Sequence, residues 1–234
     1  MKRLWQIDFL KGIALCMMVI FHFIWDLNYF NVIQVDLYSG FFGLFQITTA
    51  SLFLFLSGSS MVLSFSKYKS QFPIKWFFRT SKITIAAFFI SIFTLIFFPE
   101  YFIYFGILHI IAFCSFLFAP VVNKPFFSLA LASFVFFIYF FFTPYYFETN
   151  SILLLAFYAP RQTFDFFPLI PWSGIFLFGI FFCNIAVKFK LFDYSEQKNF
   201  FVTFTSFLGK NSLIIYLLHQ AFLFPFVWLI SNLL

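Results

Sequence analysis

The stretch "FLKGIALCMMVIFHFIWDLNYF", residues 9–30, decides how the rest of the chain is read. A helix needs about 20 mostly apolar residues to cross the hydrocarbon core of a bilayer, and this run supplies them. Yet it also holds His22 and Asp26, four residues apart and therefore on one helix face. An ionisable side chain at such depth is costly unless it is paired or faces water, so it marks a functional candidate.

Working outward, further runs of the same kind follow. Seven spanning segments can be drawn, at roughly 9–30, 41–65, 76–98, 101–119, 126–142, 168–187 and 212–234. Of the 234 residues 63% are hydrophobic and 9% charged. A soluble domain carries about 25% charged residues, so this chain cannot wrap a core in a polar shell. The expected fold class is an all-α polytopic integral membrane protein of about seven transmembrane helices, forming a single domain over 1–234. Its first partner is the lipid bilayer, and no nucleic acid partner is expected. The composition leaves a homo-oligomer open.

Two apolar stretches do not span. "SILLLAFY" (151–158) is too short and reads as a re-entrant or interfacial piece. "KNFFVTFTSFLGK" (198–210) reads as an amphipathic helix along the inner surface. The N-terminal "MKRLWQIDFLKGIALCMMV" begins like a signal peptide, but Asp8 and Lys11 interrupt it and no small-residue cleavage site follows. It reads as a retained first helix.

The basic residues set the orientation. With the N-terminus inside, the inner side holds Lys2, Arg3, Lys11, Lys67, Lys69, Lys75, Arg79, Lys82, Lys124, Lys188, Lys190, Lys198 and Lys210, and the outer side only Arg161. Asp26, Asp36, Glu100, Glu148 and Asp165 then fall at or near the outer side. An odd number of segments puts the C-terminus outside. Phenylalanine, at 49 residues, is read as codon bias among interchangeable lipid-facing positions. Cys16, Cys114 and Cys183 lie in apolar segments at spacings that suit no metal.

All three histidines fall inside expected helices. Counting a rise of about 1.5 Å per residue, His22 lies roughly 18 Å from the inner end of its segment, His109 roughly 12 Å from the outer end, and His219 roughly 10 Å above the inner end. Any one of them can serve as a neutral structural peg between helices. For His22 the nearby Asp26 favours chemistry, since a carboxylate on one ring nitrogen raises the basicity of the other, as a general base requires.

Several motifs together resemble one family. "IDFLKGIALCMMVIFHFIWDL" (7–27), "ASLFLFLSGSSMVLS" (50–64), "YFGILHIIA" (104–112), "FDFFPLIPWSGIFLFGI" (164–180) and "LGKNSLIIYLLHQ" (208–220) occur in the order found in the heparan-alpha-glucosaminide N-acetyltransferase catalytic-domain family, within the wider transmembrane acyltransferase group. The chain looks like a small member of prokaryotic type, with fewer helices than the animal enzyme and no large lumenal part. The resemblance implies transfer of an acetyl or short acyl group from cytoplasmic acyl-CoA to an amine or hydroxyl of a sugar or glycolipid on the outer side.

Under that resemblance, His22 is the candidate general base or acyl acceptor, oriented by Asp26, and His109 the oxyanion donor or second acid–base group. Acetyl-CoA carries phosphates, so basic residues should hold its head, with no metal needed. Arg79, Lys82 and Lys75 are the candidates, although positive residues beside anionic lipid need no ligand. Ser57 and Gly58, in "SGSS" (57–60), allow close helix approach or admit the pantetheine arm. Asp165, Trp172 and His219 are the candidate acceptor-binding residues. Pro168 and Pro171 suggest a bent helix start, and Gly209 and Asn211 a turn into the last helix, with Ser212 near its N-cap.

Two other classes remain open. A small proton-coupled transporter uses intramembrane His and Asp residues in the same way, although no inverted repeat is visible. A non-catalytic membrane partner would keep the helices and lose the chemistry. Coenzyme A binding separates the enzyme from the carrier, and loss of turnover in His22→Ala separates it from the scaffold.

Overall fold

The computed structural model describes residues 4–142, 163–192 and 199–233. The expectations placed on Lys2, Arg3, Glu148, the 151–158 segment, Arg161 and Lys198 lie outside the described residues. Eight α-helices are described: α1 Trp5–Tyr29, α2 Gly40–Tyr68, α3 Phe72–Phe97, α4 Ile107–Leu117, α5 Pro125–Phe142, α6 Leu169–Lys188, α7 Phe200–Lys210 and α8 Ser212–Ser231. Among the described residues there is no strand, only an isolated parallel bridge between Phe105 and Phe166. The all-helical membrane class expected from composition is therefore the class found.

Among the described residues, five helical stretches are long and apolar enough to cross a membrane, counting Gly40–Phe97 as one. A 3-10 turn at Lys69–Gln71 divides that stretch into α2 and α3. At 1.5 Å per residue these measure about 43 Å and 39 Å, each longer than the roughly 30 Å core. By contrast α4, about 16 Å long, covers half of it.

The chain forms two compact units, Leu54–Leu191 and Lys2–Phe53 with Phe192–Leu234, and α2 supplies residues to both. Within the first, α3 packs on α4, α5 on α6 and α4 on α6. Its centre holds Leu54, Leu56 and Met61 of α2, Ile110 and Cys114 of α4, and Phe176, Leu177 and Ile180 of α6, all buried. Lipid tails are as apolar as leucine, so helices in a bilayer associate through close packing and small residues. Accordingly Gly58 lies against the backbone carbonyl of Phe176, Gly179 against that of Phe55, and a methyl group at either position would collide with it. The Ser59 hydroxyl adds a bond to the Gly179 carbonyl at 3.2 Å.

The expected fourth segment, starting at 101, becomes helical only at Ile107. Before it, residues 101–105 run beside 163–167: the Phe164 and Phe167 amides donate to the carbonyls of Tyr101 and Phe105, each at 3.0 Å. The Thr163 hydroxyl donates to the Phe102 carbonyl at 2.9 Å. An aromatic apolar run satisfies a spanning-helix pattern equally well when it is extended, and here its backbone groups are used by the neighbouring segment. The bent start of α6 is as expected, with Ile170 outside helical angles (φ −109°, ψ 124°). Trp172 meets Phe167 edge-on at 4.8 Å.

In the second unit α1 packs on α7 and α8. The α7 helix forms where the amphipathic helix at 198–210 is expected. It turns its small polar side, Thr205, Ser206 and Gly209, inward while Phe200, Phe201, Phe204 and Phe207 face outward. A Cβ at Gly12 would strike the Thr205 carbonyl, and one at Gly209 the Asp8 carbonyl. Gly209 thus serves close approach inside α7 and is not part of the turn. The turn falls on Asn211, whose side-chain amide caps the Phe207 carbonyl at 2.9 Å.

Candidate functional site

The second unit gathers the polar residues of the opening stretch. His22 and Asp26 lie one turn apart on α1, and His219 and Gln220 are consecutive on α8. The two imidazole rings meet with centroids 4.8 Å apart and an interplanar angle of 56°. The expected His22–Asp26 pairing gives way to a different partner: the Gln220 side-chain amide donates to Asp26 Oδ1 at 2.6 Å. An i+4 spacing puts two side chains on one face but does not choose between the neighbour on the same helix and one brought by another. Asp26 is fully buried.

His219 has a defined tautomer. Its Nδ1 lies 2.5 Å from the Tyr216 carbonyl oxygen, and a carbonyl only accepts, so Nδ1 carries the proton. In the neutral ring Nε2 then holds the free lone pair. That Nε2, together with Asp26 Oδ2 and Gln220 Oε1, is buried without a hydrogen-bond partner. The cluster therefore presents three bare acceptors beside a second imidazole, an arrangement suited to taking a proton or holding donor groups. The sequence alone assigns Gln220 no role. Its signal was its position directly after His219 in an apolar run.

His109 belongs to the other unit and is used differently. The Gly106 amide donates to its Nδ1 at 3.2 Å. Nε2 must then be the protonated nitrogen, and it donates to the Ser91 hydroxyl oxygen at 3.0 Å. The Ser91 hydroxyl in turn donates to the Ile103 carbonyl at 2.5 Å. Both ring nitrogens are engaged in fastening α3 to the start of α4.

Asp165 joins that fastening. Its Oδ2 accepts the Ile107 amide at 2.9 Å, which caps one of the free donors at the helix start. Burial pushes its carboxyl up to about 6, partly offset by the Ile107 hydrogen bond. A Cβ at Gly106 would strike the same carboxylate.

The basic face runs along the start of α3. Arg79 is half-buried, while Lys75 and Lys82 are exposed. Trp76, between them, donates to the Ser115 carbonyl at 2.8 Å and so fixes this part of α3 to α4. The Lys67 and Lys75 ammonium groups lie 5.2 and 5.4 Å from the Tyr68 ring centroid. Ser57 is half-buried, and Gly58 is buried against α6. Among the described residues no group of three or more His, Cys, Asp or Glu side chains could hold a metal.

A multi-pass helical membrane protein with an imidazole–carboxylate–amide cluster around a buried aspartate is the class these features define. Residues 3–221 match the family model described as heparan-alpha-glucosaminide N-acetyltransferase, catalytic, and the chain belongs to that family. No curated protein and no solved structure matches it. Membership makes it a membrane acetyltransferase by family, consistent with the resemblance carried by its five motifs.

Proposed function

We propose that the protein moves an acetyl or short acyl group from cytoplasmic acyl-CoA to an amine or hydroxyl of a sugar or glycolipid on the outer side of the cell membrane. The observation that carries this reading is the half-buried meeting of His22 and His219 beside the buried Asp26 and its partner Gln220. In the reaction the acceptor nitrogen or oxygen attacks the thioester carbon. The C–S bond breaks, a C–N or C–O bond forms, and the proton lost by the acceptor passes through the imidazole pair to the coenzyme A sulfur.

His22 is the base, and His219, its ring fixed by Tyr216, is the second proton carrier. The His22 imidazole can also take the acyl group before the acceptor attacks. Mass spectrometry of protein given acetyl-CoA without acceptor separates the two routes, since only the second leaves His22 acetylated. Arg79, Lys82 and Lys75 hold the coenzyme A phosphates, with N-terminus and basic residues inside. Asp165 and His109 support the fold, and Gly58 serves helix packing.

The deciding experiment is the melting temperature of the purified protein with and without acetyl-CoA, for wild type and Arg79→Ala. A ligand at 100 times its Kd stabilises the native state by about 2.7 kcal/mol. A rise in wild type that shrinks in the variant is expected. No rise at millimolar acetyl-CoA would favour a proton-coupled carrier, which the same intramembrane cluster also suits.

A further inference from the structure

Where α2 ends and α3 begins, two ammonium groups converge on one ring. Lys67, in the last turn of α2, holds its Nζ 5.2 Å from the Tyr68 ring centroid, and Lys75, in the first turn of α3, holds its own at 5.4 Å. Each contact with the ring is favourable, yet together they gather two like charges that repel each other. Lys69, on the turn between the helices, adds a third exposed ammonium. The sequence has no Asp or Glu between Asp36 and Glu100. The carboxylates described in this unit, Glu100 and Asp165, belong to the opposite end of α3, where Thr94 meets Ile103 and Asp165 meets Ile107. No carboxylate therefore balances the elbow.

The elbow also has a depth. Counted from Gly40 along α2 and back from Phe97 along α3, about 20 residues fill a core of roughly 30 Å, which leaves Lys67 and Lys75 roughly 5–12 Å beyond it. That is the level of the lipid headgroups, on the side where the basic residues collect. Ile74, Phe77 and Phe78 are exposed beside them, one turn nearer the hydrocarbon. Cations at headgroup level above exposed apolar side chains match a ligand that has both an anionic head and acyl chains.

We propose that the α2–α3 elbow binds a phospholipid with a phosphomonoester headgroup, its phosphate held by Lys67, Lys69 and Lys75 and its chains lying along Ile74, Phe77 and Phe78. A phosphomonoester carries about −1.5 to −2 charges near neutral pH, so one group offsets both cations on the ring, whereas a phosphodiester offsets one. Tyr68 is a positioning residue, since its ring gathers the two ammonium groups before the ligand arrives. The site does not depend on the acyl-transfer reading. Lys75 is the one residue that both employ, and Arg79 and Lys82 lie one and two turns further along α3.

The test is lipid binding to the full-length protein in detergent, read by native mass spectrometry with no acetyl-CoA present. Phosphatidic acid is titrated alongside phosphatidylglycerol, whose headgroup is a phosphodiester, for wild type, Lys67→Gln and Tyr68→Leu. Wild type should bind phosphatidic acid about tenfold more tightly, the discrimination expected of one further hydrogen bond to a charged group. Lys67→Gln should bring the two lipids to parity at an unchanged melting temperature, since this side chain is exposed. Tyr68→Leu should do the same while keeping every lysine, a result that charge alone does not produce. Glycerol 3-phosphate, the headgroup without chains, should not displace the lipid at millimolar concentration.

Equal binding of the two lipids by wild type would overturn the proposal and leave only a general attraction to anionic surfaces. So would a preference for phosphatidic acid that survives in either variant. Displacement by glycerol 3-phosphate would overturn the lipid as ligand in favour of a soluble phosphomonoester. A failure of acetyl transfer would leave the site standing, because the binding assay contains no donor.

Discussion

The imidazoles of His22 and His219 stand 4.8 Å apart, centroid to centroid, although 197 positions separate them in sequence (219 − 22). The acyl-transfer reading gives both rings a role in moving the acceptor's proton. Replacing either by alanine should lower the transfer rate by about 10²- to 10⁴-fold, the usual worth of a positioned acid or base. Rates should be read alongside the melting temperature, so that a folded but inactive protein is distinguished from a collapsed one. Full activity in folded His22→Ala would remove the residue from the reaction.

His109 should behave in the opposite way. With its nitrogens held by Gly106 and Ser91, His109→Ala should lower the melting temperature. His109→Asn, which keeps an acceptor near Nδ1, should lower it less. In both variants the pH profile of transfer should match wild type. A shifted profile in folded His109→Asn would return this residue to the proton-transfer steps.

Asp165 makes stability depend on pH. Its folded carboxyl sits at about 6 against an ordinary 3.8, so the native state binds the proton more tightly than the unfolded chain. The stability this contributes is fully present below 3.8 and is lost as pH rises through about 6. The melting temperature of wild type relative to Asp165→Asn should therefore fall across that interval. The asparagine carbonyl keeps an acceptor for the Ile107 amide without titrating. Parallel curves for the two proteins would place the pH response elsewhere.

Gly12 and Gly209 should be the least replaceable small residues of the second unit. Each meets a backbone carbonyl, which no rotamer change can move aside. Gly12→Ala and Gly209→Ala should each cost about 1–3 kcal/mol, the usual range for overpacking. Gly174→Ala, facing the Phe136 ring in the other unit, should cost less because a ring can turn. Thermal unfolding of the three variants ranks them, and equal losses would contradict this account.

The helices were legible where apolar length alone decides. Residues 9–30 and 168–187 lie close to α1 and α6 as found. The start of α4 was not, because residues 101–105 are as apolar extended as they would be helical, and their partners lie some sixty residues away. His22 and Asp26 announced a site by their cost in lipid, yet the Gln220 bond depends on how α8 meets α1, which no local spacing encodes. Asp165 looked like an outer charge for substrate. Only its contact with the Ile107 amide reveals a helix cap.

The reciprocal seating of Gly58 on Phe176 and Gly179 on Phe55 has a consequence for how this sequence can evolve. Outward-facing positions such as Phe88, Phe89 and Phe93 are exposed, so codon drift can exchange them for other oily residues freely. The two glycines form a lock in which main chain meets main chain, and neither can drift even as far as alanine unless the other helix retreats. Mutational tolerance should therefore be sharply divided, with long permissive stripes of phenylalanine beside a few positions that admit nothing larger than hydrogen.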